Sequence, residues 1–189
     1  FGESHSVGFS NWIQLDPLTH PSEPWYSQED RASIDLAEVE CIGTPTGHFI
    51  SYHAYPYYPH FMRDDPAYQS VSDELGPNSY LALLRELAEH YRGKPLLITE
   101  FGVPSSWGSA KEVPSGMHHG GHTEAEQANH IARMVGNIAS VDIAGAIQFH
   151  WMDGWYKSTW ITDPRSFPRE RQRLWHDLLN PQQGYGLIS

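Results

Sequence analysis

The stretch Pro95-Leu-Leu-Ile-Thr-Glu-Phe-Gly102 constrains this chain most. Leu96, Leu97 and Ile98 form an apolar run too short for a helix and too continuous for a surface strand, the pattern of a parallel strand buried on both faces. The run ends in Glu100, followed two residues later by a glycine. In open α/β sheets and in (β/α)8 barrels, ligands and catalytic groups gather at the carboxyl ends of such strands. Glu100 is therefore either a site carboxylate or the residue that opens an ordinary strand-to-helix loop. The rest of the sequence favours the first.

Three other segments read as strands. Residues 7–12 deliver Asn11 and Trp12 to a proline-punctuated loop, 16–24, which Trp12, Trp25 and Tyr26 mark as functional. Residues 48–55 are rich in strand formers and stop at Pro56. Residues 143–151 form the last strand and run into Met152-Asp-Gly-Trp-Tyr156. Between them lie two helices. One spans 78–91, capped by Asn78 and closed by Gly93, with Leu81, Leu84, Leu87 and Ala88 on one face. The other opens on a Thr123/Glu126 capping box and carries Ala128, Ile131, Ala132, Val135 and Ile138 to about Ala139. Residues 33–39 read as an extra edge strand or one helical turn, 43–47 as a turn, and 169–178 as a short helix. Strand and helix alternate as in βαβ units, which predicts an α/β fold with a parallel sheet.

Parallel neighbours would bring Asn11, Trp12, His53, Tyr55, Glu100, Trp151 and Asp153 to one rim. Sugars lay apolar C–H faces on tryptophan and hydrogen-bond Asn, His and carboxylate groups, so this rim suits a carbohydrate; a phosphate would call for a Gly-rich cradle with cations, and there is none. Trp155 and Trp107 are sugar platforms or loop anchors, with position favouring Trp155. The net charge of −11 argues against a nucleic-acid or anionic-membrane partner. A single cysteine, Cys41, permits no intrachain disulfide. His118, His119 and His122 invite a metal, but they lie in a Gly-rich loop with no nearby carboxylate before Glu124, so neither metal nor cofactor is expected. The chain opens on Phe1 and stops at Ser189 without a finishing element, which reads as a piece of a longer polypeptide and leaves its compartment unknown.

The segments Phe9-Ser-Asn-Trp12, Ser51-Tyr-His-Ala-Tyr-Pro-Tyr-Tyr-Pro59, Leu97-Ile-Thr-Glu-Phe-Gly102 and Gly145-Ala-Ile-Gln-Phe-His-Trp-Met-Asp-Gly-Trp155 resemble strands five to eight of the (β/α)8 barrel in the large clan of retaining glycoside hydrolases, family 2-like and family 5-like. Gly120-Gly-His-Thr-Glu-Ala-Glu-Gln127 and Leu174-Trp-His-Asp-Leu-Leu-Asn-Pro181 are similar to one bacterial, family 2-like branch. The resemblance spans nearly the whole chain. It implies a single partial domain, 1–189, that forms the C-terminal half of such a barrel, strands one to four being absent.

It further implies hydrolysis of a β-linked sugar by double displacement, with Glu100 as nucleophile and Trp151 under the sugar. Tyr55 would hydrogen-bond Glu100, with Tyr57 and Tyr58 competing for that role. Asn11, Trp12, His53, Asp153 and Trp155 are then the expected substrate contacts, although Asp153 also suits a plain turn cap. The clan's acid/base follows an Asn in an Asn-Glu pair, which this chain lacks, so a missing upstream segment is expected to supply it. The branch also commonly carries acidic residues where this chain has His150 and Gly154. A non-catalytic carbohydrate-binding or scaffold domain derived from the barrel is the alternative, and a metal-dependent hydrolase built on the histidine loop a third. Open edges at residues 7–12 and 143–151 predict self-association.

Overall fold

The computed structural model describes residues 4–21, 23, 33–168, 170 and 176–188. Trp25, Tyr26 and most of the helix expected at 169–178 lie outside the described residues.

Four parallel strands form the main sheet: β1 (Val7–Trp12), β2 (His48–His53), β5 (Leu96–Phe101) and β8 (Gly145–Gln148), in the order β1-β2-β5-β8. Two long helices, α3 (Ser79–His90) and α4 (Glu124–Ala139), connect β2 to β5 and β5 to β8. Their starts are as expected: the Asn78 side chain accepts from the Leu81 N–H, and Thr123 and Glu126 form a reciprocal capping box. Leu83, Leu84 and Leu87 of α3 and Ile131, Met134 and Ile138 of α4 join Ile50, Tyr52, Leu96 and Ile98 in one buried core.

The other face of the sheet is concave and only partly covered. Register places Gly8, Ser10 and Trp12 beside Phe49, Ser51 and His53 on that face, followed by Leu97 and Thr99. The Ser10 and Thr99 hydroxyls meet at 3.1 Å although β2 lies between their strands. Strands two apart in a flat sheet are about 9.5 Å apart, too far for two short hydroxyl side chains, so the sheet must curl toward this face. Gly8 makes room for the curl, because a Cβ there would lie 2.1 Å from the Phe49 ring. Trp12 and Ile147 flank the face and stay 50% and 58% exposed.

The connections hold more structure than their sequences suggest. Of the two readings of residues 33–39 it is the single helical turn that forms, a 3-10 turn, Leu36–Glu38, capped by Asp35. The loop after β2 contains α1 (Phe61–Asp64), α2 (Pro66–Gln69) and a small antiparallel pair, β3 (Ser72–Asp73) and β4 (Gly76–Pro77). The Gly-rich loop folds into a second pair, β6 (Ser109–Lys111) and β7 (His119–Gly120). Two strands are shorter than expected. β2 ends at His53, before Tyr55, and β8 ends at Gln148, because from His150 the chain pairs with the C-terminal segment: the His150 N–H donates to Tyr185 O, the Leu187 N–H to His150 O, and the Asp153 N–H to Ile188 O. The open edge foreseen at 143–151 is thus confined to Gly145–Gln148.

The β3–β4 pair is held by a buried ion pair. Arg133 of α4 donates from Nε and Nη2 to the two Asp73 oxygens, at 2.9 and 2.7 Å, and Asn137 donates to the same carboxylate. Hydrogen bonds from Arg133, with backbone and side-chain amides adding to them, hold the Asp73 carboxyl well below its ordinary pKa. A carboxylate so depressed contributes stability that is complete above its unfolded value of 3.8 and is lost as pH falls below it. Asp73→Ala leaves a largely buried guanidinium unpaired and is expected to destabilise the fold by about 3 kcal/mol in urea unfolding at pH 7. Between pH 7 and pH 3 the parent should lose more stability than Asp73→Asn; equal losses would refute the assignment.

Candidate functional site

An irregularity in β5 builds the site. Tyr52 pairs with Ile98, but the next residue of β2, His53, pairs with Glu100, and on the other side Ile98 and Phe101 pair with Ala146 and Gln148. β5 therefore carries one extra residue between Ile98 and Phe101. Strict alternation would put Thr99 on the concave face and Glu100 on the helix side. The bulge turns Glu100 onto the concave side as well, beside His53, as bulges next to sites commonly re-aim a side chain. Gly102 follows, where a Cβ would lie 2.6 Å from Phe149 O and push β5 away from the end of β8.

Glu100 is held by one oxygen. The Tyr55 hydroxyl donates to Oε2 at 2.8 Å, and His53 Nδ1 lies 3.4 Å from the same atom. Oε1 meets no partner among the described residues, and the side chain is 28% exposed. Of the three competing tyrosines, it is Tyr55 that reaches Glu100; Tyr57 and Tyr58 stand behind it. Burial, then the nearby Tyr185 and the Glu100 charge, push the Tyr55 hydroxyl's pKa up, so it stays a neutral donor. Its ring packs on Tyr57 at 5.6 Å and meets the edges of Tyr185 and Phe149. The Tyr57 and Tyr185 hydroxyls pair with each other, closing an aromatic wall behind the carboxylate.

The remaining expected contacts divide. Trp12 and Trp151 are half or more exposed, as an aromatic platform must be. Trp155 is also half-exposed but stacks on His176, with ring centres 5.5 Å apart, so one of its faces already has a partner. Asn11 is occupied by its own loop: its Nδ2 donates to Leu15 O and its Oδ1 accepts from the Trp12 N–H. Asp153 Oδ1 accepts from the Gly186 N–H, which ties down the C-terminal segment; burial raises its pKa and that hydrogen bond opposes the rise. No second carboxylate contacts Glu100 among the described residues.

Neither protein-family models nor curated proteins match this chain. The chemistry of the site rests on its own geometry.

The histidine loop is packed rather than open. His118 Nδ1 accepts from the Val113 N–H, and His122 Nε2 sits against the backbone of His118. His119 is buried and lies parallel to the Tyr57 ring at 4.5 Å. Among the described residues no group of three or more His, Cys, Asp or Glu side chains is placed to hold a metal ion.

Two residues of the site were not foreseen. Tyr185 completes the wall from far along the chain, and nothing in the Gly184-Tyr-Gly186 turn distinguishes it. Lys157 lies with Nζ 4.0 Å over the Phe149 ring. Its one sequence signal is that it closely follows the Trp151–Tyr156 aromatic run.

His119 yields a test of its role. Both ring nitrogens lack hydrogen-bond partners, and burial, with the Lys111 cation adding, lowers its pKa to about 3. Its place is thus that of a flat neutral ring. Replacing an unpaired buried polar group by an apolar one of similar shape is nearly neutral or stabilising. His119→Phe should leave the thermal midpoint unchanged or raised, and His119→Ala should lower it by roughly 2–3 kcal/mol of stability through lost packing. A loss in His119→Phe as large as in His119→Ala would mean that the nitrogens matter.

Proposed function

We propose that this chain is the C-terminal half, about strands five to eight, of a (β/α)8 retaining glycoside hydrolase domain acting on a β-linked sugar. The observation that carries the reading is the β5 bulge, which turns Glu100 into the concave face with Oε2 held by Tyr55 and Oε1 left open. A nucleophilic carboxylate needs that arrangement. One oxygen is fixed and kept from rotating, and the other points at the anomeric carbon. The concave curl, the helices on the convex side and the exposed Trp12 and Trp151 fit a barrel interior that receives a sugar.

In this mechanism Oε1 of Glu100 attacks the anomeric carbon, the bond to the leaving oxygen breaks, and a covalent glycosyl ester forms. An acid about 5–5.5 Å away protonates the leaving oxygen and later deprotonates the incoming water. No described residue of this chain stands there, and the reading assigns the acid to an upstream segment, so alone the chain is expected to lack the factor of roughly 10² to 10⁴ that general acid catalysis supplies. A leaving group such as dinitrophenolate needs no proton. A dinitrophenyl 2-deoxy-2-fluoro-β-glycoside should therefore still form an adduct, because the fluorine slows breakdown of the ester more than the activated leaving group lets it form. The expected result is a mass increment on the peptide containing Glu100, absent in Glu100→Gln. Labelling elsewhere, or none with any of a panel of β-glycosides, would remove Glu100 as nucleophile.

The lack of a second carboxylate at Glu100 among the described residues favours one other reading, a carbohydrate-binding or scaffold domain in which Glu100 only hydrogen-bonds a sugar. Sugar binding without labelling would support it.

The half-barrel also leaves β1 and Gly145–Gln148 of β8 as sheet edges, with exposed Phe9, Trp12 and Ile147 near them. Such edges are templates for pairing. Two copies related by a twofold along the barrel axis would pair β8 of each with β1 of the other and keep all strands parallel. Sedimentation at micromolar concentration should show self-association; a monomer with cooperative unfolding would mean that the chain tolerates its own edges.

A further inference from the structure

The connection from β1 to β2 leaves the rim at Trp12, and a buried histidine fastens it to the helices. His20 is 5% exposed; its ring stacks on Phe61 of α1 with centres 3.6 Å apart and meets Tyr68 of α2 edge-on. Both ring nitrogens face carboxylates. Nδ1 lies 3.0 Å from Oε1 of Glu23, in the same turn, and Nε2 lies 3.2 Å from Oε2 of Glu86, on α3. Glu23 has a second hold, because its Oε2 accepts from the His20 N–H at 3.0 Å. Glu86 Oε2 also accepts from the Tyr68 hydroxyl, and Asp16 and Asp65 are the further charges acting on that tyrosine. One helical turn on from Glu86, His90 Nε2 lies 3.0 Å from Asp35 Oδ2 near the far end of the connection. That second pair is 31% and 27% exposed, so solvent screens it, and Lys94 Nζ holds the neighbouring Ala37 O as well. The buried pair at His20 is the one that a proton can control.

An imidazole donates from both nitrogens only when it is protonated. Neutral, it has one hydrogen for two carboxylates, and the lone pair of the other nitrogen is left facing a carboxylate oxygen in a site where water screens little. Glu23 keeps its bond from the backbone, so the deficit falls on the bridge to Glu86. We propose that His20 is a proton-operated latch that clamps residues 16–21 of the β1–β2 connection onto α3 when protonated and releases them when it loses the proton. Burial opposes the charge, but Glu86 and then Glu23 outweigh it and raise the His20 pKa above its ordinary 6.5; Glu86 is lowered in turn, first by the bond from His20. The clamp's contribution is therefore complete below 6.5 and lost as pH rises through the folded value. Residues 11–15 are held by other means, since Ile13 is buried and Leu15 O accepts from Asn11 Nδ2 and the Ile34 N–H. Release thus stops short of Trp12 and opens the loop that borders the rim. The latch operates whether or not Glu100 is a nucleophile.

The test pairs two measurements on the whole chain. Nitrogen-15 NMR of the histidine rings gives the protonation midpoint of His20, and hydrogen–deuterium exchange between about pH 5 and about pH 9, with labelling times scaled to the intrinsic rate at each pH, gives the protection of residues 13–21. The His20 midpoint should lie above 6.5, with both ring nitrogens protonated below it. Protection of residues 16–21 should fall as pH rises, by about tenfold for each unit by which that midpoint exceeds 6.5, while β5 keeps its protection. The two measurements thus check each other. Glu86→Gln should lower the His20 midpoint and weaken the pH dependence. His20→Gln, which keeps one donor but cannot charge, should show the parent's high-pH protection at both ends of the range. A midpoint at or below 6.5, equal protection of 16–21 at both ends in the parent, or an unchanged midpoint in Glu86→Gln would each overturn the latch. The parent's two measurements decide it even if a variant fails to fold. Protection of 16–21 that is lower in His20→Gln but independent of pH in the parent would make His20 a packing residue only, which also overturns it.

Discussion

One extra residue in β5 governs the geometry of the rim. Without it, Glu100 would point with Ile98 into the apolar layer between sheet and helices, where a carboxylate has no partner and its ionised form is heavily disfavoured. With it, the carboxylate emerges on the concave side, within reach of a hydroxyl and an imidazole. The irregularity also breaks the pairing with β8 at the same level, so both flanking strands end where the side chain needs space. The positions of His53, Tyr55 and Phe149 are all set relative to this defect.

Behind the carboxylate, the site is made rigid by rings rather than by charges. Tyr55, Tyr57, His119 and Tyr185 pack face and edge, and the Tyr57–Tyr185 hydroxyl pair satisfies both polar ends inside the wall. Aromatic pairs of this kind contribute about 0.5–1.5 kcal/mol each beyond the area they bury. They have few rotatable bonds and hold a hydroxyl in place at small entropic cost. The ion pair of Asp73 and Arg133 does the comparable work for the two-strand ribbon, which it fastens to α4.

Much of this was legible in the sequence because it follows from local rules. The apolar run before Glu100, the Asn78 cap and the Thr123/Glu126 capping box each carry their structure within a few residues, and all three were placed correctly. The tyrosine that holds Glu100 was also the one expected. What escaped depended on distant partners. β8 was read too long because its continuation pairs with 185–188, a contact no local pattern announces. Asn11 and Asp153 were assigned to a ligand by residue type, whereas backbone groups of the protein use them first. The hairpin in the Gly-rich loop was hidden because its strands are only two and three residues long. The likeness to a glycoside hydrolase half-barrel is compatible with the parallel sheet and its helices but goes beyond them.

The aromatic wall also imposes an order on biosynthesis. Tyr185 leaves the ribosome 85 residues after Glu100, by which time β2, β5 and both long helices have already emerged. Domains tend to assemble from the N-terminal side as they are made, so Tyr57 must wait without its hydroxyl partner, and Tyr55 with one flank bare, until the segment that carries Tyr185 docks. Glu100 is thus translated well before the ring that completes its support, and a nascent chain stalled between the two would hold its carboxylate without the wall that orients it.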